Sequence, residues 1–295
     1  MHVVSDGRVL LAGPDRFTQR LDVAAKEWTG VGNRQNVGLS LKEAPSVMYE
    51  PNKVIFIEGG QDPPRKDVEL LDLTQPAPKW EKIASMTKAR RHHNATLLPD
   101  GSVLVTGGTD GAGFNDLAKP VKLPELWTPA TGQWTSMAEE SVPRQYHSTA
   151  VLLPDATVLS GGGGEYRPDG QHQNHPNDSR RNAQIFSPPY LFKSTVQKPR
   201  PVITDIPGEV DYGQSFAVQV TAGVTIGMVS WLRLSSVTHA FNMNQRVNLL
   251  EFSGSGTTLM VKAPASNKVC PPGHYMLFVL DAGKVPSVGR IIRIK

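Results

Sequence analysis

The sequence predicts an all-β protein: a partial kelch-type β-propeller of about four blades followed by an immunoglobulin-like β-sandwich. Three observations carry this. A unit of roughly 50 residues recurs from the N-terminus onward, and each copy ends an apolar strand in glycine, usually paired, as kelch-like repeats do. The 27 glycines and 24 prolines favour many short strands joined by turns, and no helical stretch interrupts them. Beyond Phe192 the paired glycines stop, and short apolar strands continue at the spacing of a sandwich.

The first unit, His2-Val-Val-Ser-Asp-Gly-Arg-Val-Leu-Leu-Ala-Gly13, opens partway through the repeat, where the first strand of a blade should already have passed. The second runs from Ala44 to Gly60 and the third from Arg91 to Gly108. Each alternates apolar and polar residues along one strand, turns at Pro-Asn or Pro-Asp-Gly, and runs a second apolar strand into the glycines. The fourth starts at Arg144-Gln-Tyr-His-Ser, turns at Pro154-Asp155 and ends in Gly161–Gly164. Tryptophans recur in step at Trp28, Trp80 and Trp134 and are expected in the core between blades. Ala183-Gln-Ile-Phe-Ser-Pro-Pro-Tyr-Leu-Phe192 closes the series, and Lys193 to Pro201 reads as a linker. Sandwich strands are then expected around Pro201-Val-Ile-Thr, Ser215-Phe-Ala-Val-Gln-Val, Met228-Val-Ser-Trp-Leu-Arg-Leu, Thr258-Leu-Met-Val-Lys-Ala, Gly273-His-Tyr-Met-Leu-Phe-Val-Leu and Arg290-Ile-Ile-Arg-Ile. The blades are thus placed at residues 1–195 and the sandwich at 196–295. About four blades, the first cut short, either close as an unusually small ring or leave it open with its edges uncovered, which points to missing N-terminal blades or to self-association.

Composition excludes several classes. The 31 basic and 27 acidic residues give a net charge of +4, scattered along the chain. No basic stripe marks a nucleic-acid groove, and Lys88-Ala-Arg-Arg-His-His93 is too short to make one. No apolar run approaches the roughly 18 residues of a membrane span, and the N-terminal segment lacks a signal-peptide pattern. The single cysteine, Cys270, rules out an internal disulfide and reads as a free thiol at a strand entry.

Several segments, taken in order, resemble one family: Arg144-Gln-Tyr-His-Ser with its glycines, Asn174-His-Pro-Asn, Ala183 through Phe192, Val237-Thr-His-Ala-Phe-Asn-Met-Asn-Gln-Arg246, Pro272-Gly-His-Tyr-Met-Leu-Phe-Val-Leu280 and Val285-Pro-Ser-Val288. The family is the galactose oxidase and glyoxal oxidase group of copper radical oxidases. The resemblance implies one copper ion at the axis of a seven-bladed propeller, of which this chain supplies about four blades and the sandwich. It implies Tyr146 as the axial tyrosine, which takes the alcohol proton, and His147 as the first imidazole ligand. It implies His239 as the second imidazole, delivered by a hairpin of the sandwich, and His93 as a lining of the substrate pocket. Two imidazoles with oxygen donors in a tetragonal array suit Cu(II) and leave a position open.

The resemblance also implies a radical cofactor, a tyrosine thioether-linked to a cysteine. Both residues fall upstream of any match in this sequence, and Cys270 lies in the last sandwich strands instead. The chain is therefore expected to carry three of the four copper ligands and not to turn over alone. The implied partners are a primary alcohol, aldehyde or carbohydrate and O2, with H2O2 as product, in an extracellular or cell-envelope location. Asn174-His-Pro-Asn and Phe186-Ser-Pro-Pro-Tyr-Leu-Phe incline toward the glyoxal oxidase side.

By their own spacing these residues are weaker signals. Neighbours on a strand point to opposite faces, so Tyr146 and His147 can serve one ion only where the strand has ended or bulged. His92 and His93 hold the place of Tyr146 and His147 one blade earlier, with His93 in step with the second member. His172 and His175 have metal-ligand spacing yet read as a surface loop. Gly161–Gly164 follows a strand but precedes no helix, which removes the basis for a phosphate cradle. The alternative to an oxidase is a non-catalytic kelch scaffold that binds a protein or a glycan.

Overall fold

The computed structural model describes residues 1–13, 15–35, 44–60, 63–164 and 179–295. Among these residues it is all-β, apart from one 3₁₀ turn at Pro189–Leu191. Four antiparallel meanders follow one another along the chain. The first consists of His2–Val3, Val9–Leu11, Phe17–Asp22 and Glu27–Asn33, and the second of Ser46–Glu50, Lys53–Ile57, Val68–Asp72 and Trp80–Ile83. The third consists of Asn94–Leu97, Val103–Thr106, Glu125–Thr128 and Gln133–Ser136, and the fourth of Ser148–Leu152, Val158–Gly162 and Ala183–Phe186. The first unit completes four strands although its sequence starts mid-repeat, because His2 and Val3 suffice to pair with Leu10 and Val9.

Strand register explains the repeat. Cross-strand partners place Val9, Val54, Val103 and Val158 at one equivalent position. Around them run the rows Val3–Val9–Leu21–Trp28, Met48–Val54–Leu71–Trp80, Leu97–Val103–Trp127–Trp134 and Leu152–Val158–Phe186. Alternation along each strand keeps a row on one face. In the second sheet that face packs on Val4, Leu10 and Ala12 of the first. Trp80 is fully buried there, and its indole N–H donates to Thr18 Oγ1 at 2.8 Å across the sheet boundary. Trp134 repeats the device, donating to the Ala84 carbonyl at 2.8 Å. Burying a large apolar side chain of this kind contributes about 1.5–3 kcal/mol. Trp28 departs from the expectation of a buried tryptophan: its row is the outward face of the first sheet, and it is 46% exposed.

The glycine pairs have a local cause. Gly107 and Gly162 take φ of 68° and 67°, and a Cβ on Gly107 would lie 2.3 Å from the Arg144 carbonyl oxygen, so only glycine fits. The Gly107 and Gly162 carbonyls accept from Arg90 Nη1 and Arg144 Nη1. Arg90 also forms a fully buried ion pair with Glu125 at 2.6 Å.

From Ile203 onward two further sheets face each other. One orders Ile203–Asp205, Ser215–Val220, Thr258–Lys262 and Phe252–Ser253; the other orders Glu209–Val210, Arg290–Ile294, Gly273–Asp281, Ile226–Arg233 and Val247–Leu249. Val218, Trp231, Val261, Tyr275 and Ile292 fill the space between them, together with Cys270. A second core is continuous across the boundary, joining Ile55, Val103, Trp127, Ala150 and Val158 to Leu232, Phe278 and Leu280. Ser230 Oγ donates to the Pro99 carbonyl at 2.7 Å, and Gly289 N–H to the Pro154 carbonyl at 2.6 Å, so two blade turns rest on these sheets. A hairpin of Val237–Thr238 and Phe241–Asn242 leaves them and lies against Ser148–Leu152 and Asn94–Leu97. Among the described residues, no helix is long and apolar enough to cross a membrane.

Candidate functional site

Tyr146 and His147 precede the strand Ser148–Leu152, so the rule that strand neighbours face apart does not bind them. His147 sits in the left-handed region at φ 60°. The two rings lie on one side, stacked at 3.8 Å between centroids and 30° between planes. A left-handed conformation in a residue other than glycine costs on the order of 1 kcal/mol or more, and such outliers gather at functional sites.

His239 arrives from the hairpin. His239 and Ala240 form its two-residue turn with φ of 50° and 67°, the sign pattern that suits hairpin twist and normally selects Asn-Gly. The turn brings the His239 ring to 4.9 Å from His147 and 5.8 Å from Tyr146, centroid to centroid. Thr238 Oγ1 lies 2.7 Å from His239 Nδ1, a contact that orients the ring and leaves Nε2 for a ligand. Burial, and then the neighbouring His239, hold His147 below the ordinary histidine value, which favours the neutral imidazole that ligates metals.

A further ring belongs to this cluster. His92, at φ 58°, packs 5.0 Å from Tyr146 and 4.9 Å from Phe114, and Phe114 lies 4.8 Å from Tyr146. His92 Nε2–H donates to the Phe114 carbonyl at 2.7 Å, fixing the tautomer. Burial pushes His92 down to about 4, against the pull of that carbonyl, so the ring is neutral at pH 7.

The structure brings Tyr146, His147 and His239 together and does not bring His93 into this cluster of rings. Leu97 pairs with Val103 as Leu152 pairs with Val158, so His92, one residue earlier than the sequence frame suggested, is the counterpart of His147. His93 is sealed at 0% exposure, which does not suit a side chain lining an open pocket. Neither of its ring nitrogens has a hydrogen bond of regular geometry, the Ile57 backbone offering only a weak one. Counting back from Pro99 and Pro154, rather than from the glycines, would have found His92. Phe114 sits in a loop without sequence pattern, and nothing in the sequence marks it. His172 and His175 lie outside the described residues.

Among the described residues, no group of three or more histidine, cysteine, aspartate or glutamate side chains could hold a metal. A metal at this point therefore depends on the Tyr146 phenol as well as the imidazoles. Two imidazoles and a phenol are a donor set that fits Cu(II).

Residues 55–190 match the family described as glyoxal oxidase N-terminus, and residues 200–294 match the galactose oxidase-like early set domain. An aldehyde oxidase of Arabidopsis thaliana is 33% identical over 246 residues, covering 78% of this chain and 39% of that protein. A galactose oxidase of Gibberella zeae is 30% identical over 262 residues, covering 84% of this chain and 37% of that protein. A solved structure of a fungal alcohol oxidase in complex with copper superposes with a TM-score of 0.87 at 30% identity, covering 98% of this chain and 61% of that one. The chain thus spans about two fifths of the length of these curated relatives. With both sheet groups matched in order, the chain belongs to the galactose oxidase and glyoxal oxidase family of copper radical oxidases.

Proposed function

We propose that this chain forms the metal-binding half of a copper oxidase acting on primary alcohols or aldehydes with O2, with blades over residues 1–195 and a sandwich over 196–295. Tyr146, His147 and His239 are the ligands, three of the four such a centre uses. The observation that supports this most directly is convergence. Three rings from two different sheet groups meet within 3.8–5.8 Å, and both histidines are held in the left-handed conformation. Copper, when bound, supplies one-electron redox capacity and polarises the substrate oxygen. The chain's own residues do the rest. Tyr146, acting as phenolate, takes the alcohol proton at its oxygen; His147 and His239 hold their positions through backbone conformation and Thr238; His92 and Phe114 wall one side and exclude water.

The single cysteine, Cys270, is buried in the sandwich core, so no cysteine-linked tyrosine forms at this site from these 295 residues. The chain accordingly binds copper and gives no peroxide by itself. A substrate from the alcohol, aldehyde or carbohydrate classes and an extracellular or cell-envelope location follow from the same family reading. The exposed row ending in Trp28 matches rows that are covered in the second and third sheets, which supports packing of a further blade or a second copy there. The test is a peroxidase-coupled assay on the copper-loaded chain with primary alcohols, glyoxal and methylglyoxal. The expected result is copper binding without peroxide; absence of copper binding would contradict the three-ligand assignment, and peroxide release above free copper would contradict the inactivity expected without a cysteine-linked tyrosine.

A further inference from the structure

Tyr146 and His147 are fixed by their own blade, but His239 is not. It sits at the tip of a hairpin whose strands are two residues each, and an isolated hairpin of that size is marginal in water. Asn242 closes the base, accepting at Oδ1 from Ser236 N–H at 3.1 Å and donating from Nδ2 to Ser235 Oγ at 3.0 Å. Those bonds stay within the hairpin's own surroundings and do not set where its tip falls relative to the blades.

The hairpin strands pack on the inner strands of the third and fourth blades, and Gln245, buried at 8% exposure, ties their base by hydrogen bonds to the third. Gln245 Nε2 donates to the Ala95 carbonyl at 2.9 Å, and its Oε1 accepts from Leu97 N–H at 3.0 Å. The strand Asn94–Leu97 is the edge of its sheet, so these backbone groups have no strand to pair with. A primary amide presents C=O and N–H as a further strand would, and one side chain satisfies two buried edge groups at once. Glutamate lacks the donor, and asparagine is a methylene too short.

We propose that Gln245 is a positioning residue for the site: by clasping the inner strand of the third blade, it sets the reach of His239 toward His147 and Tyr146. The role rests on the copper reading given above. Gln245 acts through the hairpin and ligates nothing itself.

The experiment uses the full chain and Cu(II) as the probe, with Gln245→Glu, Gln245→Met and, as a control, Ser230→Ala. Ser230→Ala removes another buried bond between blades and sandwich, at Pro99, and touches neither the hairpin's own hydrogen bonds nor those of Gln245. Copper affinity by competition titration, nitrogen splitting in the electron paramagnetic resonance spectrum, and melting temperature are recorded for each. Both Gln245 variants are expected to bind Cu(II) about 10–100-fold more weakly, the scale of a lost supporting contact. Their spectra should show one imidazole nitrogen where the unmodified chain shows two. Ser230→Ala should lower the melting temperature and keep both nitrogens. Two nitrogens at unchanged affinity in the Gln245 variants, or equal nitrogen loss in Ser230→Ala, would overturn the proposal. Fewer than two nitrogens in the unmodified chain would show before any substitution, and would remove the copper reading and this role together.

Discussion

Replacing His93 with leucine changes how stability responds to acid. The imidazole is fully buried, and burial, reinforced by the charge of Arg90, holds it well below the ordinary histidine value. In the unfolded chain the same group titrates near ~6.5. As pH falls through that value the unfolded state takes up a proton that the folded state refuses, so native stability declines with acid. One such proton is worth about 1.4 kcal/mol per pH unit, and between about pH 7.5 and about pH 5.5 His93 alone removes about 1.4 kcal/mol. His2 and His92, held by burial at about 3 and about 4, steepen the same limb and remain in the variant. Urea unfolding across this range measures the effect. The stability difference between His93→Leu and the unmodified chain should shift toward the variant by about 1.4 kcal/mol on acidification. A changed fit of leucine raises or lowers both ends alike, so the slope reports the proton. Parallel stability curves would refute the buried, neutral assignment of His93.

Three other outcomes follow from the packing. Arg90→Met leaves Glu125 buried with only the Thr87 and Lys88 N–H groups, and should cost about 3–5 kcal/mol in urea unfolding; a loss under about 1 kcal/mol would show that the pair is not buried. Cys270 is inaccessible, and burial pushes its thiol up to about 11, so a disulfide reagent should find no thiol in the native chain and one after denaturation. Trp80→Phe loses the bond to Thr18 and part of a filled interface, and should cost about 1–3 kcal/mol in thermal or urea unfolding. An unaffected midpoint there would contradict the tight stacking of the first sheet on the second.

The repeat was legible in the sequence because its cause is local. Valine at the centre of each row, tryptophan on the last strand and glycine where Arg144 closes on Gly107 are requirements of strand alternation and of one close contact. The one-residue slip that favoured His93 over His92 arose because the glycine run at residues 161–164 is longer than the pair it matches. The φ values show Gly162 and Gly163, at 67° and 110°, to be the counterparts of Gly107 and Gly108, at 68° and 99°. Trp28 is exposed where the repeat places a core tryptophan, because the pattern encodes a face to be covered and the covering sheet is a matter of tertiary context. Tyr146 and His147 were readable as a pair only through family resemblance, since their shared side depends on a left-handed His147 that no residue type announces. The approach of His239 depends on contacts between Gln245 and Leu97, 148 residues apart, which no local pattern contains.

The proposed copper centre is tested most directly by counting nitrogens. Cu(II) titrated into the full chain and into His147→Ala and His239→Ala should give, by electron paramagnetic resonance, one tetragonal ion per chain with two imidazole nitrogens, reduced to one nitrogen in each variant. Spectra that are identical in all three proteins would place the copper elsewhere and contradict the convergence of Tyr146, His147 and His239 on one metal ion.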